Sequence, residues 1–173
     1  MSGLKCKRIQ LISACIGLVA TWFASSVYGA NVTNELNASY YEGVWSEMPD
    51  FDALTPVSSG ITAGFDISGA AATDGFGYRF DGFILIEVGG RYDFFLTSDD
   101  GSKLYVDGEI VVINDALNNT SEVMGSLLLD EGFHEIRVDY FHKDGTELLE
   151  VSYAHATSVV KQQIPAEKLA SSV

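Results

Sequence analysis

The chain has 173 residues, with 24 acidic side chains against 10 basic ones and a formal net charge of −14 at pH 7. Charge of that sign repels nucleic acid and anionic membrane surfaces and attracts cations. Both cysteines, Cys6 and Cys15, lie close to the start, so the remaining chain has no disulfide, no thiol nucleophile and no thiolate metal site.

The opening segment has three parts. Lys5, Lys7 and Arg8 are basic, Ile9 to Phe23 is almost wholly apolar, and small residues follow at Ala24, Ser25, Ser26, Gly29 and Ala30. That is the layout of a secretory signal peptide, expected to span residues 1–29 with cleavage after Gly29 or Ala30. The apolar run falls short of the roughly 20 residues of a bilayer span, so no membrane insertion is expected once the signal is removed. A second reading takes Ile12-Ser13-Ala14-Cys15 as a lipoprotein box with Cys15 lipidated, although the apolar run continues past it. Either reading places the protein outside the cytoplasm: secreted, periplasmic or on the cell surface. Three of the ten basic residues precede residue 30, and all 24 acidic ones follow it.

A polar leader is expected over residues 30–37, a single domain over 38–169 and a tail over 170–173. Within the domain the apolar period is two. Tyr92, Phe94 and Leu96 alternate with Asp93, Phe95 and Thr97; Ile136, Val138 and Tyr140 alternate with Arg137 and Asp139; Leu149, Val151 and Tyr153 close the series. These segments are half-buried strands. Phe83 to Val88, apolar on both faces apart from Glu87, is expected to be a central strand. Glycine pairs such as Asp74-Gly75, Gly89-Gly90, Asp107-Gly108 and Asp144-Gly145 punctuate the runs. No amphipathic helix is visible. The expected fold is all-β, an antiparallel β-sandwich or barrel.

Chemistry is concentrated at Ser98-Asp99-Asp100-Gly101. Neighbouring side chains of a regular strand point to opposite faces, so Asp99 and Asp100 share a ligand only if the backbone between them is irregular. In that case two carboxylates suit a hard, oxygen-loving cation such as calcium. The competing reading is a plain Asp-Gly hairpin turn. Asp107-Gly108 reads as the turn of a hairpin from Leu104 to Ile113. Asn114, Asp115, Asn118 and Asn119 belong to the loop region that follows. His134, His142 and His155 are isolated, and neither Gly-x-Ser-x-Gly nor His-Glu-x-x-His occurs, so no enzyme is expected. Tyr40, Tyr41, Trp45, Phe51, Phe141 and Tyr153 are either stacking platforms for sugar rings or core residues.

The stretch from Gly89 to Gly108, with Tyr92-x-Phe94, Ser98-Asp99-Asp100-Gly101 and Leu104-x-x-Asp107-Gly108, resembles the signature of the protective-antigen-fourteen domain family. The order continues through Leu127–Leu129, Glu131-Gly132-x-His134-x-Ile136-x-Val138-x-Tyr140, Leu149-x-Val151-x-Tyr153 and Ile164-Pro165 with Leu169. The resemblance covers about Leu36 to Leu169. It implies a compact β-sandwich that in many members binds carbohydrate. In the lectin members adjacent aspartates, here Asp99 and Asp100, hold a calcium ion through a cis peptide, and the ion contacts sugar hydroxyls. A loop equivalent to His142-Lys143-Asp144-Gly145 there adds an amide side chain and carbonyls. Here that position is His142, a poor calcium ligand, with Asp144 as the candidate substitute.

The resemblance therefore implies a secreted, calcium-dependent binder of carbohydrate or glycoconjugates. The metal ligands would be Asp99, Asp100 and Asp144, and the ligand-binding set would add Gly101, Asn114, Asp115 and His142. The alternative is a non-catalytic structural or protein-interaction module without a sugar site. A glycoside-acting enzyme would need two carboxylates placed across a cleft.

Overall fold

The computed structural model describes residues 33–115, 117 and 120–173. The expected signal segment and Asn118 and Asn119 lie outside the described residues. Two antiparallel sheets pack face to face and do not close into a barrel, so of the two expected all-β forms the chain adopts the sandwich. The first sheet runs in the order β2 (Ser58–Thr62), β1 (Leu36–Glu42), β3 (Phe76–Ile86), β8 (Gly132–His142), β5 (Gly101–Val106) and β6 (Glu109–Asn114). The short β11 (Leu169–Ala170) also pairs with β3. The second sheet runs β10 (Val159–Gln163), β9 (Leu148–His155), β4 (Gly90–Asp99) and β7 (Ser121–Leu129).

The period-two pattern does what strand geometry requires. On β4, Tyr92, Phe94 and Leu96 are 2, 0 and 0 % exposed, while Asp93, Phe95 and Thr97 face outward. They join Leu104, Val106, Ile136, Val138 and Tyr140 of the facing sheet in one core. Burying each large apolar side chain contributes roughly 1.5–3 kcal/mol. The central strand β3 starts earlier than the apolar run Phe83 to Val88. It alternates, with Phe80, Ile84 and Ile86 buried and Phe83 and Leu85 only half-buried.

A second apolar layer lies on the outer face of the first sheet. Tyr41, Phe51 and Phe141 are buried there, outside the inter-sheet core. The loop after β1 carries Phe51 back onto Tyr41, with ring centroids 4.4 Å apart. Phe141 on β8 lies between Gly77 of β3 and Gly101 of β5 in the register. A Cβ at Gly101 would stand 2.3 Å from its ring, so glycine there makes room for the aromatic. Of the six aromatics considered for sugar stacking, Tyr40, Tyr41, Phe51, Phe141 and Tyr153 are interior residues, and Trp45 is half-buried against Phe51. Arg79 anchors the same face through a two-pronged pair with Asp139, at 2.7 and 3.1 Å.

Connections decide where loops gather. β5 and β6 form the expected hairpin, with Asp107 (φ 50°) and Gly108 (φ 78°) in the left-handed conformation of a tight turn. β4 and β5 do not form a hairpin. β4 belongs to the second sheet and β5 to the first, so Asp99-Asp100 is the point where the chain crosses between sheets.

Candidate functional site

At that crossing a buried polar lattice fixes the backbone. Ser98, Ser102 and Asn114 are 0, 0 and 2 % exposed. Ser98 Oγ donates to the Asp100 carbonyl at 2.9 Å and lies 2.6 Å from Ser102 Oγ. A hydroxyl carries one proton, so Ser102 donates to Ser98. Asn114 Nδ2 donates to the Leu96 carbonyl, Ser98 Oγ and the Ser121 carbonyl at 3.2, 3.2 and 2.8 Å, and its Oδ1 accepts from Ser121 Oγ at 2.8 Å. The Tyr140 hydroxyl donates to the Asp99 carbonyl at 2.7 Å. Burial pushes that phenol far above its ordinary range, so it stays a donor.

On this lattice the Asp99–Asp100 peptide is cis. Asp99, Asp100 and His142 each offer an atom, and the three lie within 4.8 Å of one another. The alternation of a regular strand would have separated the two carboxylates; here they meet. Asp100 is 1 % exposed, and its Oδ2 accepts from the Lys143 amide at 2.7 Å. Asp99 is half-buried, and its Oδ2 accepts from Thr120 Oγ1 at 3.2 Å.

His142, the last residue of β8, is 0 % exposed, and neither ring nitrogen has a hydrogen-bond partner among the described residues. Nδ1 faces Asp100 Oδ2 at 3.8 Å and Nε2 faces Asp74 Oδ1 at 3.6 Å, while the ring packs on Phe76 with centroids 5.2 Å apart.

The other expected site residues are placed as follows. Gly101 begins β5 under Phe141. Asn114 is turned inward, with its amide spent on the lattice. Asp115 accepts from the Met48 amide at 3.2 Å and lies 3.7 Å from Lys103 Nζ. Asp144 is exposed and paired with Lys143 at 3.7 Å; the residue grouped with Asp99 and Asp100 within 4.8 Å is His142. Sequence reasoning missed Asp74, which it took only as half of a turn dipeptide. Its neighbour Gly75 bonds the Lys143 carbonyl at 3.0 Å, tying this loop to the one after β8.

A family model described as the PA14 domain matches residues 60–168. No curated protein matches the chain. Among solved structures, an anti-sigma factor domain-containing protein from Clostridium clariflavum superposes with a TM-score of 0.66 at 21 % identity, over 80 % of this chain and 47 % of that one. The chain thus spans about half the length of that relative. The PA14 domain of MpAFP antifreeze protein gives 0.66 at 18 % identity, over 80 % of this chain and 91 % of that one. A PA14 sugar-binding domain from an RTX adhesin gives 0.63 at 14 %, over 80 % and 98 %. At these identities the likeness to the solved structures is one of fold.

Proposed function

The chain belongs to the PA14 domain family, and on that premise we propose that it is an exported carbohydrate-binding domain whose sugar site lies at the loop end around Asp99 and Asp100. The observation that carries the reading is the convergence of Asp99, Asp100 and His142 within 4.8 Å of one another, where loops from both sheets meet. The fold likeness to the sugar-binding domain of an RTX adhesin supports it. A divalent cation bound there would supply open coordination positions for sugar hydroxyls. Asp99 and Asp100 supply carboxylate oxygens of the kind calcium takes. The third group within reach is an imidazole, which calcium does not favour. Asn114, Ser98 and Ser102 act as positioning residues beneath the carboxylates, and Asp115 and Asp144 lie at the margin. The role is binding, without catalysis, in a surface-polysaccharide or adhesion setting. Export rests on the basic–apolar–small pattern of residues 1–29.

The test is a glycan array probed with the purified protein, with and without chelator, beside the double variant Asp99→Asn/Asp100→Asn. Glycan binding that disappears with chelator and in the double variant supports the reading. Absence of glycan binding in a folded wild-type protein rejects it and favours the interaction-module reading, for which the internal bond from the Lys143 amide to Asp100 would be the purpose of that carboxylate.

A further inference from the structure

His142 is the feature of this site that calcium chemistry leaves unused. A wholly buried imidazole with two unbonded nitrogens is uncommon in a native interior. The carboxylate oxygens that face it, Asp100 Oδ2 at 3.8 Å and Asp74 Oδ1 at 3.6 Å, stand beyond hydrogen-bond reach. A cation whose ligand bonds are about 2 Å long spans the first gap. The second gap has a matching explanation: a metal-bound histidine hands its other ring N–H to a carboxylate, which orients the ring and raises its basicity. Asp74 stands on that side, and a shift of about 0.4 Å would bring its Oδ1 to hydrogen-bond length. One arrangement thus accounts for both nitrogens.

We infer that Asp99, Asp100 and His142 form a mixed oxygen–nitrogen site for a borderline divalent cation of the zinc class in preference to calcium, with Asp74 as the positioning residue for His142. Zinc is satisfied by four ligands drawn from imidazole and carboxylate, and three protein ligands leave one place for an exchangeable group. Calcium asks for six to eight oxygens, and the imidazole occupies a place where it would need one more. The inference takes the site's location from the proposed function and changes the identity of the ion.

The experiment is calorimetric titration of the chelator-treated protein with zinc chloride and, separately, with calcium chloride. One zinc per chain is expected, bound at least tenfold more tightly than calcium. His142→Asn should lower zinc affinity at least tenfold and leave calcium binding equal or tighter, because an amide oxygen replaces the nitrogen. Asp74→Asn should weaken zinc by about tenfold or more with calcium unchanged. The Asp74 side chain is 57 % exposed, so this variant keeps the test alive if His142→Asn does not fold. Calcium bound as tightly as zinc would overturn the inference. So would zinc binding indifferent to both substitutions, or no binding of either cation, which would leave His142 as a packing residue between the two loops. The glycan array is scored separately. Zinc held through His142 with no glycan bound rejects the sugar reading alone, and glycan binding with no preference for zinc rejects this inference alone.

Discussion

Strand β8 has a histidine near each end, and each faces aspartates, yet the two ends of the sandwich treat them oppositely. Near its start, His134 Nδ1 lies 2.6 Å from Asp107 Oδ2, and Nε2 lies 3.0 Å from the Asp130 carbonyl. The same Asp107 accepts from the Glu135 amide at 2.9 Å. Every polar atom of that imidazole is answered, so it works as a clasp between two turns. At the far end His142 is more deeply buried, and no hydrogen bond from the described residues answers it. Proximity to carboxylate is common to both ends. The discriminating property is the count of buried donors and acceptors left without partners, because each such group costs about 1–3 kcal/mol unless a ligand satisfies it.

The sharpest way to break the contrast is at the lattice below Asp99-Asp100. Asn114→Ala removes four hydrogen bonds at a buried position, and a loss of about 3 kcal/mol is expected in urea denaturation. His134→Ala, at a half-exposed clasp, should cost about 1 kcal/mol. Equal losses would erase the distinction. Next in size is the response to metal. Zinc at a hundred times its dissociation constant should stabilise the wild type by about 2.7 kcal/mol, seen as a raised melting temperature. The rise should survive His134→Ala and shrink in His142→Asn, to about 1.4 kcal/mol or less for a tenfold or greater loss of affinity.

Two glycines extend the comparison to packing. Gly101→Ala drives a methyl to 2.3 Å from the ring of the wholly buried Phe141, which has no space to retreat. Overpacking of that kind costs about 1–3 kcal/mol, and the upper half of that range is expected. Gly108→Ala meets no atom within 4 Å. Its φ of 78° alone is at fault, at about 1 kcal/mol. Melting curves of the two variants decide it, and a Gly108 variant hurt more than the Gly101 one would contradict the packing at the site.

How much of this was legible beforehand follows from what is local in sequence. The alternation of Tyr92, Phe94 and Leu96 names a strand and its buried face without reference to any partner. Asp107-Gly108 names its turn because two left-handed residues in a row suit Asp and Gly. That Asp99-Asp100 is a crossing between sheets, and no hairpin, depends on which strands pair far away, so the dipeptide alone left both forms open. Asn114 looked like a loop ligand because its neighbours are polar, while its place on β6 opposite Ser102 of β5, with its amide against β4 and β7, comes from contacts distant in sequence. Phe51 and Phe141 lie outside the inter-sheet core, and Phe51 comes from a loop that has no periodicity to read. Asp74 reaches His142 only through the folding of β3 beside β8, and no spacing rule joins them.

The smallest expected effect isolates the answered histidine. Burial disfavours the charged form of His134, but the bonds to Asp107 and the Asp130 carbonyl, and the charges of those two acids, outweigh it, so its pKa stands above the ordinary histidine value. A pKa raised on folding contributes stability that is fully present below the unfolded value of about 6.5 and is lost as pH rises through the folded value. Stability of the wild type minus that of His134→Gln should therefore be largest in mild acid and shrink as pH climbs from about 6.5. Taking the difference removes the contributions of every other group, which both proteins share. Because Asp107 is half-exposed and solvent screens the pair, the change should be small and should weaken further in salt. A difference that stays flat across that window would mean the clasp at this end holds a neutral ring. The clasp would then rest on hydrogen-bond geometry and not on charge.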